Sequence, residues 1–478
     1  AARHAVEGAD WELAADVIGG HWVVCLTRGS GPALLDLCER IPVEVVGADA
    51  ELALALASLR LEAGDAAGAE PLLEEAHRLA PRLPERRARR FEVTSAATAL
   101  YRARLHGDVD AALAAATLTL AEGWGRDLAV EVRALTLANL GIAEFWSGAG
   151  EAASEHLEQA AGLALESAND FLLFLAEAYA AAVDSQAGRL DAAATRARIA
   201  IELAERRGWE HVAPAAMAYL ALAAVHLWRG ELSHAEQLTD RAVAAGGSSD
   251  PLLGPAVSLM RAELLALGGE PLMALDTVRG VVAHEPSSRL LRVAVRLLEA
   301  DLHLALGEPD RTRRALAELD SIDAAVGLAR LQLAEGGPEA AAATVAAQLG
   351  DDREPLIPFA RVEAHVLDAI AHDALRDEPG ALAALERTLD MAEPRGCSMV
   401  LTRYGAPLRS LLRRLLVQGT RHRALADELI ASLAREPGPD PAPAVPLLEP
   451  LSERELTVLR YLPTLMSNSE IAAEMFVS

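Results

Sequence analysis

Gly148-Ala149-Gly150-Glu151-Ala152-Ala153-Ser154-Glu155-His156-Leu157-Glu158-Gln159-Ala160 decides the fold of this chain. A glycine is followed at offsets of five, nine and twelve by Ala153, Leu157 and Ala160, which share one face of a helix. The same register recurs after Gly64 (Ala69, Leu73, Ala76), Gly188 (Ala193, Ala197, Ala200) and Gly230 (Ala235, Thr239, Ala242). Gly107, Gly269 and Gly337 repeat the first offset with Ala112, Ala274 and Ala342. Successive glycines stand roughly forty residues apart, with a shorter step from Gly307 to Gly337 and a weaker unit around Pro379-Gly380.

A physical reading follows from what each position must do. Glycine reaches the left-handed backbone that a tight helix-to-helix turn needs. An acid beside it, as at Asp65, Asp108 and Glu231, suits the start of the next helix. The small residue five positions on lets two helices approach closely, and the one at twelve lets the next hairpin stack. No hairpin buries its apolar face alone, so neighbours must cover it. The expectation is an all-α chain, an α-solenoid of stacked hairpins. The turn glycine and two small residues resemble tetratricopeptide repeats, with a longer spacing than that family's.

Composition agrees. The chain has 478 residues, 52% hydrophobic but only 4% aromatic, so alanine and leucine carry the core. All 44 basic residues are arginine, and the net charge is −26. Without lysine there is no phosphate-binding P-loop and no Schiff-base chemistry here. The acidic balance opposes nonspecific nucleic-acid binding along the body. Three widely spaced cysteines, Cys25, Cys38 and Cys397, form no disulfide framework or zinc motif and suit a reducing cytoplasm. No apolar run approaches the length of a membrane span, and nothing at Ala1 looks like a signal peptide. Gly29-Ser30-Gly31 reads as a helix-breaking turn.

The domain organisation reads as a helical lead-in over residues 1–50, a repeat region over 51–435, a proline-rich linker over 436–450 and a terminal helix pair over 451–478. The linker is stiff and extended. In the last segment Ser452 and Glu455 form a capping box, and Leu456, Leu459 and Leu462 share a face up to Pro463. Ser467 or Asn468 then caps a second helix with Ile471, Ala472 and Met475 inward. Two short helices joined this way are the first two-thirds of a helix-turn-helix.

Ser452-x-Arg454-Glu455 with Val458-Leu459, then Ser467-Asn468-x-Glu470-Ile471-Ala472 and Phe476-Val477-Ser478, resembles the LuxR-type DNA-binding domain. One departure is Pro463-Thr464, where that family has a residue and Gly between its helices. The order of repeats, basic segment, proline linker and this motif resembles the MalT-like large regulators of the LuxR family, as does the stretch from Ala1 to Val17. The resemblance implies DNA-backbone contacts at Ser467, Asn468 and Ser478, with base reading left to a helix that would begin after Ser478. It also implies an upstream ATP- or ADP-binding switch domain, and therefore that the chain is part of something longer. The chain itself is expected to need no cofactor. The function it implies is a DNA-binding transcriptional regulator, this chain being its sensing and interaction part. The alternative is a protein-interaction scaffold whose terminal helices only dimerise.

No catalytic constellation is legible: there is no His-Glu-x-x-His, no Gly-x-Ser-x-Gly and no metal-spaced Cys or His cluster, so neither an enzyme nor a metal site is expected. His226 and His303 are expected to be packed or solvated. If the first helix of each hairpin lines the concave side, positions two, three or six before the turn glycine face a groove. These include Tyr101, Arg104, Phe145, Trp146, Gln186 and Trp228, a candidate site for an inducer or protein partner. A basic patch of Arg409, Arg413, Arg414, Arg421 and Arg423 lies in a segment, 395–435, with eight arginines against two acids. It reads as a solvated face or as one turned toward DNA phosphate or another domain. Arg82, Arg86, Arg87, Arg89 and Arg90 are expected in an inter-repeat linker. DNA, an inducer or partner, and a second copy are the expected partners; a membrane is not.

Overall fold

A computed structural model of the chain describes residues 1–114, 129–247, 250–283 and 286–434, and among these every regular element is a helix. The linker and the terminal helix pair, with Ser467, Asn468 and Ser478, lie outside the described residues, as does Arg435. Contacts divide the chain into one unit over Ala1–Leu429 and a second over Ile430–Ser478. The account below concerns the first.

Its helices pair into antiparallel hairpins that stack in chain order. Examples are Ala50–Glu62 with Ala66–Leu79, Val130–Ser147 with Gly150–Glu166, Asp170–Gln186 with Leu190–Arg207, and Ala213–Trp228 with Leu232–Ala244. At each turn one residue adopts positive φ, and the next amide bonds back to the last helical turn. Asp65 N donates to Arg60 O at 2.8 Å, Ala149 N to Glu144 O at 2.9 Å and Glu231 N to His226 O at 2.8 Å. This closure satisfies carbonyls that the helix end leaves open. The offset pattern is then explained by burial: Ala153, Leu157, Ala193, Ala197, Ala200, Ala235 and Ala242 are all 0% exposed. Asp65 and Asp108 cap the following helices, accepting from Gly68 N at 2.8 Å and Ala111 N at 3.0 Å. Glu231 does not cap.

Several expectations are refined or corrected. The turn after that of Gly307 is made by Gly336 (φ +77°), not Gly337, so the buried face is Ala341 and Val345 rather than Ala342. The unit near Gly380 turns on Arg376 at φ +62°, a non-glycine in the left-handed region, and Ala381, Leu385 and Thr388 behind it keep the three offsets. The lead-in is itself a hairpin, Ala2–Glu7 with Trp11–Cys25, turning on Ala9 at φ +53° and burying Ala14 and Ile18. Gly29 (φ +77°) interrupts the helical path as a turn, as expected. Arg86, Arg87, Arg89 and Arg90 are not in a linker but open the helix Glu85–Leu105. There Arg87 and Arg90 clamp the buried Glu51 at 2.5 and 2.6 Å.

Candidate functional site: the inner face of the superhelix

The hairpins coil until early turns meet late loops of the same unit. Ser287 Oγ donates to the Gly107 carbonyl, Ser288 Oγ to the Trp146 carbonyl at 2.6 Å, Gln186 Nε2 to the Leu356 carbonyl, and Ser398 Oγ to the Arg229 carbonyl at 2.8 Å. These partners are 142 to 180 residues apart in the chain. Apolar contacts fill the spaces between them. A Cβ on Gly148 would stand 2.7 Å from Leu356 Cδ2, and one on Gly188 would stand 2.9 Å from Phe359 Cε1. The rings of Phe359 and Trp228 meet edge to face, 5.2 Å between centroids. Phe359 makes this contact from φ +62°, a conformation that costs an aromatic residue energy and is held by the packing around it.

This arrangement corrects the reading of the groove rings. Trp146 is 2% exposed and Phe145 7%, so both belong to the packed interior. Trp228 and Gln186 engage the 356–359 loop. None of the four is presented on an open groove. Tyr101 and Arg104 lie together, the Arg104 guanidinium 5.2 Å above the Tyr101 ring and the Tyr101 hydroxyl on Glu62. Burial pushes the Tyr101 hydroxyl well above its ordinary range, with Glu62 adding to it. Arg104 Nε is buried without a hydrogen-bond partner.

A larger polar cluster sits later in the stack. Its members are Glu263, Asp301 and Arg330 from three successive hairpins, with Glu363, Arg403 and Tyr404. Arg403 reaches Asp301 at 3.0 Å and Glu363 at 3.1 Å; Arg330 pairs with Asp301 and approaches Glu363 at 3.3 Å. The Tyr404 hydroxyl donates to Glu363. Arg330 and Arg403 hold the Glu363 carboxyl below the usual range against the opposing effect of its burial. Glu263 is pushed the other way: burial raises it, and Arg403 only partly compensates. Arg403 keeps 35% of its side chain exposed, so water reaches the cluster. The arrangement can hold a polar or ionic group by charge and hydrogen bonding. It offers no activated nucleophile. Asp301, Arg330 and Glu263 stand six residues before Gly307, Gly336 and Gly269, the same offset that places Tyr101 before Gly107. Carrying that offset past Gly230 would have found Glu263 and Asp301 in the sequence, whereas Arg330 answers to it only once Gly336 is known to make the turn.

The basic patch is partly neutralised. Arg414 pairs with Asp373 at 2.5 Å, and Arg421 with Asp390. Buried His422 lies between Asp390 (2.6 Å) and Glu393 (2.5 Å). Arg421, followed by His422, holds Asp390 below the usual carboxylate range. Arg413 and Arg423 remain on the surface, and Arg409 is half-buried. Cys38 and Cys397 are buried, their thiols pushed up to about 12 by desolvation, which suits packing rather than reactivity. The Gly230 turn also brings one ligand atom each of His226, Glu231 and His234 to within 4.8 Å of one another, a grouping that no sequence motif marks.

No curated protein matches the chain. Solved structures similar to it include a Rap protein complexed with competence and sporulation factor, at 13% identity over 80% of this chain and 97% of that one, with a TM-score of 0.45. A monomeric IFIT1 mutant with Gppp-AAAA is 14% identical over 82% and 90%, with a TM-score of 0.41. A tetratricopeptide repeat protein from Parabacteroides merdae is 15% identical over 55% and 94%, with a TM-score of 0.32. Among the described residues no helix is long and apolar enough to cross a membrane. Residues 123–418, most of the hairpin stack described above, match the family model of the MalT-like TPR region, and the chain belongs to that family.

Proposed function

We propose that this chain is the sensing and interaction region of a LuxR-type, DNA-binding transcriptional regulator, and not an enzyme. The observation that carries the reading is the sequence Ser467-Asn468-x-Glu470-Ile471-Ala472 with Phe476-Val477-Ser478 placed after a MalT-like repeat region. In this reading Ser467, Asn468 and Ser478 meet DNA phosphate, and the solenoid receives the signal. The inner cluster around Glu263, Arg330 and Arg403 is where a polar inducer or a partner's charged side chain would bind, beside Tyr101 and Arg104. A nucleotide, ATP or ADP, would act on a switch domain outside this chain. The cytoplasm is the compartment this role requires.

The test is DNA binding by the native protein and by residues 1–478. The coding sequence after codon 478 should specify a threonine-valine-lysine helix, and the native protein should protect a defined operator. Residues 1–478 alone should bind duplex DNA weakly and without sequence preference, with affinity falling steeply with salt. A native protein that neither continues into such a helix nor binds DNA would leave the interaction-scaffold reading in its place. An operator footprint from residues 1–478 alone would show that base reading lies elsewhere than assigned.

A further inference from the structure

Three hairpin turns share a clasp. The residue four before the turn is histidine and the residue one after it is an acid: His226 and Glu231 around Gly230, His303 and Glu308 around Gly307, His372 and Asp377 around Arg376. The Nδ1-to-carboxylate distances are 2.5, 2.7 and 2.8 Å. The clasp by itself is structural, since it ties the end of one helix to the start of the next. What differs is the residue four after the turn. In the Gly307 hairpin it is Arg311, which takes both oxygens of Glu308 at 3.1 and 3.0 Å. In the Arg376 hairpin it is Gly380, whose amide donates to Asp377 at 3.2 Å. In both, the second side of the carboxylate is occupied.

In the Gly230 hairpin the corresponding residue is His234. Its Nδ1 stands 3.9 Å from Glu231 Oε2, too far for a hydrogen bond. Glu231 makes no capping bond to its own helix, so its carboxylate is not committed to the backbone. The two imidazole rings lie 5.2 Å apart between centroids. Ligand atoms around a tetrahedral ion bound at ~2.0–2.1 Å stand roughly 3.3 Å from one another. The two distances to Glu231, 2.5 and 3.9 Å, bracket that value. The nearby cation, Arg229, is engaged by Asp191 at 2.5 Å. We propose that His226, Glu231 and His234 form a site for a divalent d-block cation such as Zn²⁺, with solvent completing the coordination. Two imidazoles and one carboxylate favour such ions over Ca²⁺ or Mg²⁺, which prefer all-oxygen shells. The ion would pin the turn next to Arg229, whose carbonyl accepts the Ser398 hydroxyl.

The test uses residues 1–478 after chelator treatment. Co²⁺ titration should give saturable visible absorption bands of a low-coordinate site at one equivalent, displaced by Zn²⁺, and Zn²⁺ should raise the melting temperature. His234→Ala, at an exposed position that leaves the clasp intact, should weaken Zn²⁺ binding at least ~10-fold, since changes even outside the ligand set cost 10–100-fold. Glu231→Gln should do the same, while His303→Ala should leave Zn²⁺ affinity unchanged. Circular dichroism of each variant confirms that it is folded. Binding no tighter than millimolar in the native chain, or equal affinity in folded His234→Ala, would overturn the assignment.

Discussion

Gly188→Ala, compared with Gly269→Ala, tests whether early turns pack against late loops. Both glycines are left-handed, at φ +72° and +84°. An alanine there pays ~1–2 kcal/mol for its backbone and recovers ~0.4–1 kcal/mol from a less flexible unfolded chain. A Cβ at Gly269 meets nothing within 4 Å, so the net cost there is about 0.5–1 kcal/mol. At Gly188 the added Cβ would lie 2.9 Å from Phe359 Cε1. The ring is 8% exposed and has little room to yield, so overpacking adds ~1–3 kcal/mol. Gly188→Ala should therefore cost about 2–4 kcal/mol, and Gly269→Ala well under half of that. A long repeat stack does not unfold in one step, so the assay is hydrogen exchange of the 170–207 hairpin and the 350–360 loop beside urea unfolding. Gly188→Ala should lower protection in both segments together, although they are far apart in sequence. In a Phe359→Ala background the extra cost of Gly188→Ala should vanish, because the partner is gone. Equal costs for the two glycine variants, or loss of protection confined to 170–207, would refute the closed superhelix.

Four further expectations concern the same unit. Trp146→Ala should destabilise by ~3–5 kcal/mol through cavity formation, read by urea unfolding, whereas Arg403→Ala should chiefly change binding of a charged inducer or partner peptide, read by calorimetry. Glu263→Gln should raise the melting temperature at pH 7–8. Burial lifts the native carboxyl above its unfolded value, so stability is lost as pH rises through the unfolded pKa of about 4.3 toward the native one, and the advantage of glutamine should disappear below about pH 4. Arg376→Gly should stabilise by up to ~1 kcal/mol, because glycine relieves the left-handed strain at φ +62° while costing unfolded-state entropy.

The repeat itself was legible because it is local. A turn residue and small residues five, nine and twelve positions later encode a hairpin within one stretch of chain, and Ala153, Ala193 and Ala235 are buried where that register puts them. The pattern failed only where its signal was doubled or missing. Gly336 and Gly337 are adjacent, and only the backbone shows which one turns; at Arg376 the packing imposes on arginine a conformation that usually announces itself as glycine. The charged cluster was partly legible, since the offset that marks Tyr101 also marks Glu263 and Asp301, while Arg330 needed the backbone at Gly336. The cluster's pairing with Glu363 and Arg403 was not legible.

What only the tertiary structure decided is where the solenoid meets itself. Each hairpin adds a small rotation to the last, and the sum over many hairpins fixes which distant turn faces which loop. No local pattern records that sum. Trp146 and Trp228 therefore look alike to the sequence as large rings before a turn glycine, ready to face a groove. In the folded chain one accepts a bond from Ser288 through its carbonyl and the other meets Phe359. His226, Glu231 and His234 show the same division at short range. Their spacing across a glycine matches no helical metal motif, and the left-handed backbone at Gly230 is what turns the second helix back so that His234 faces the pair.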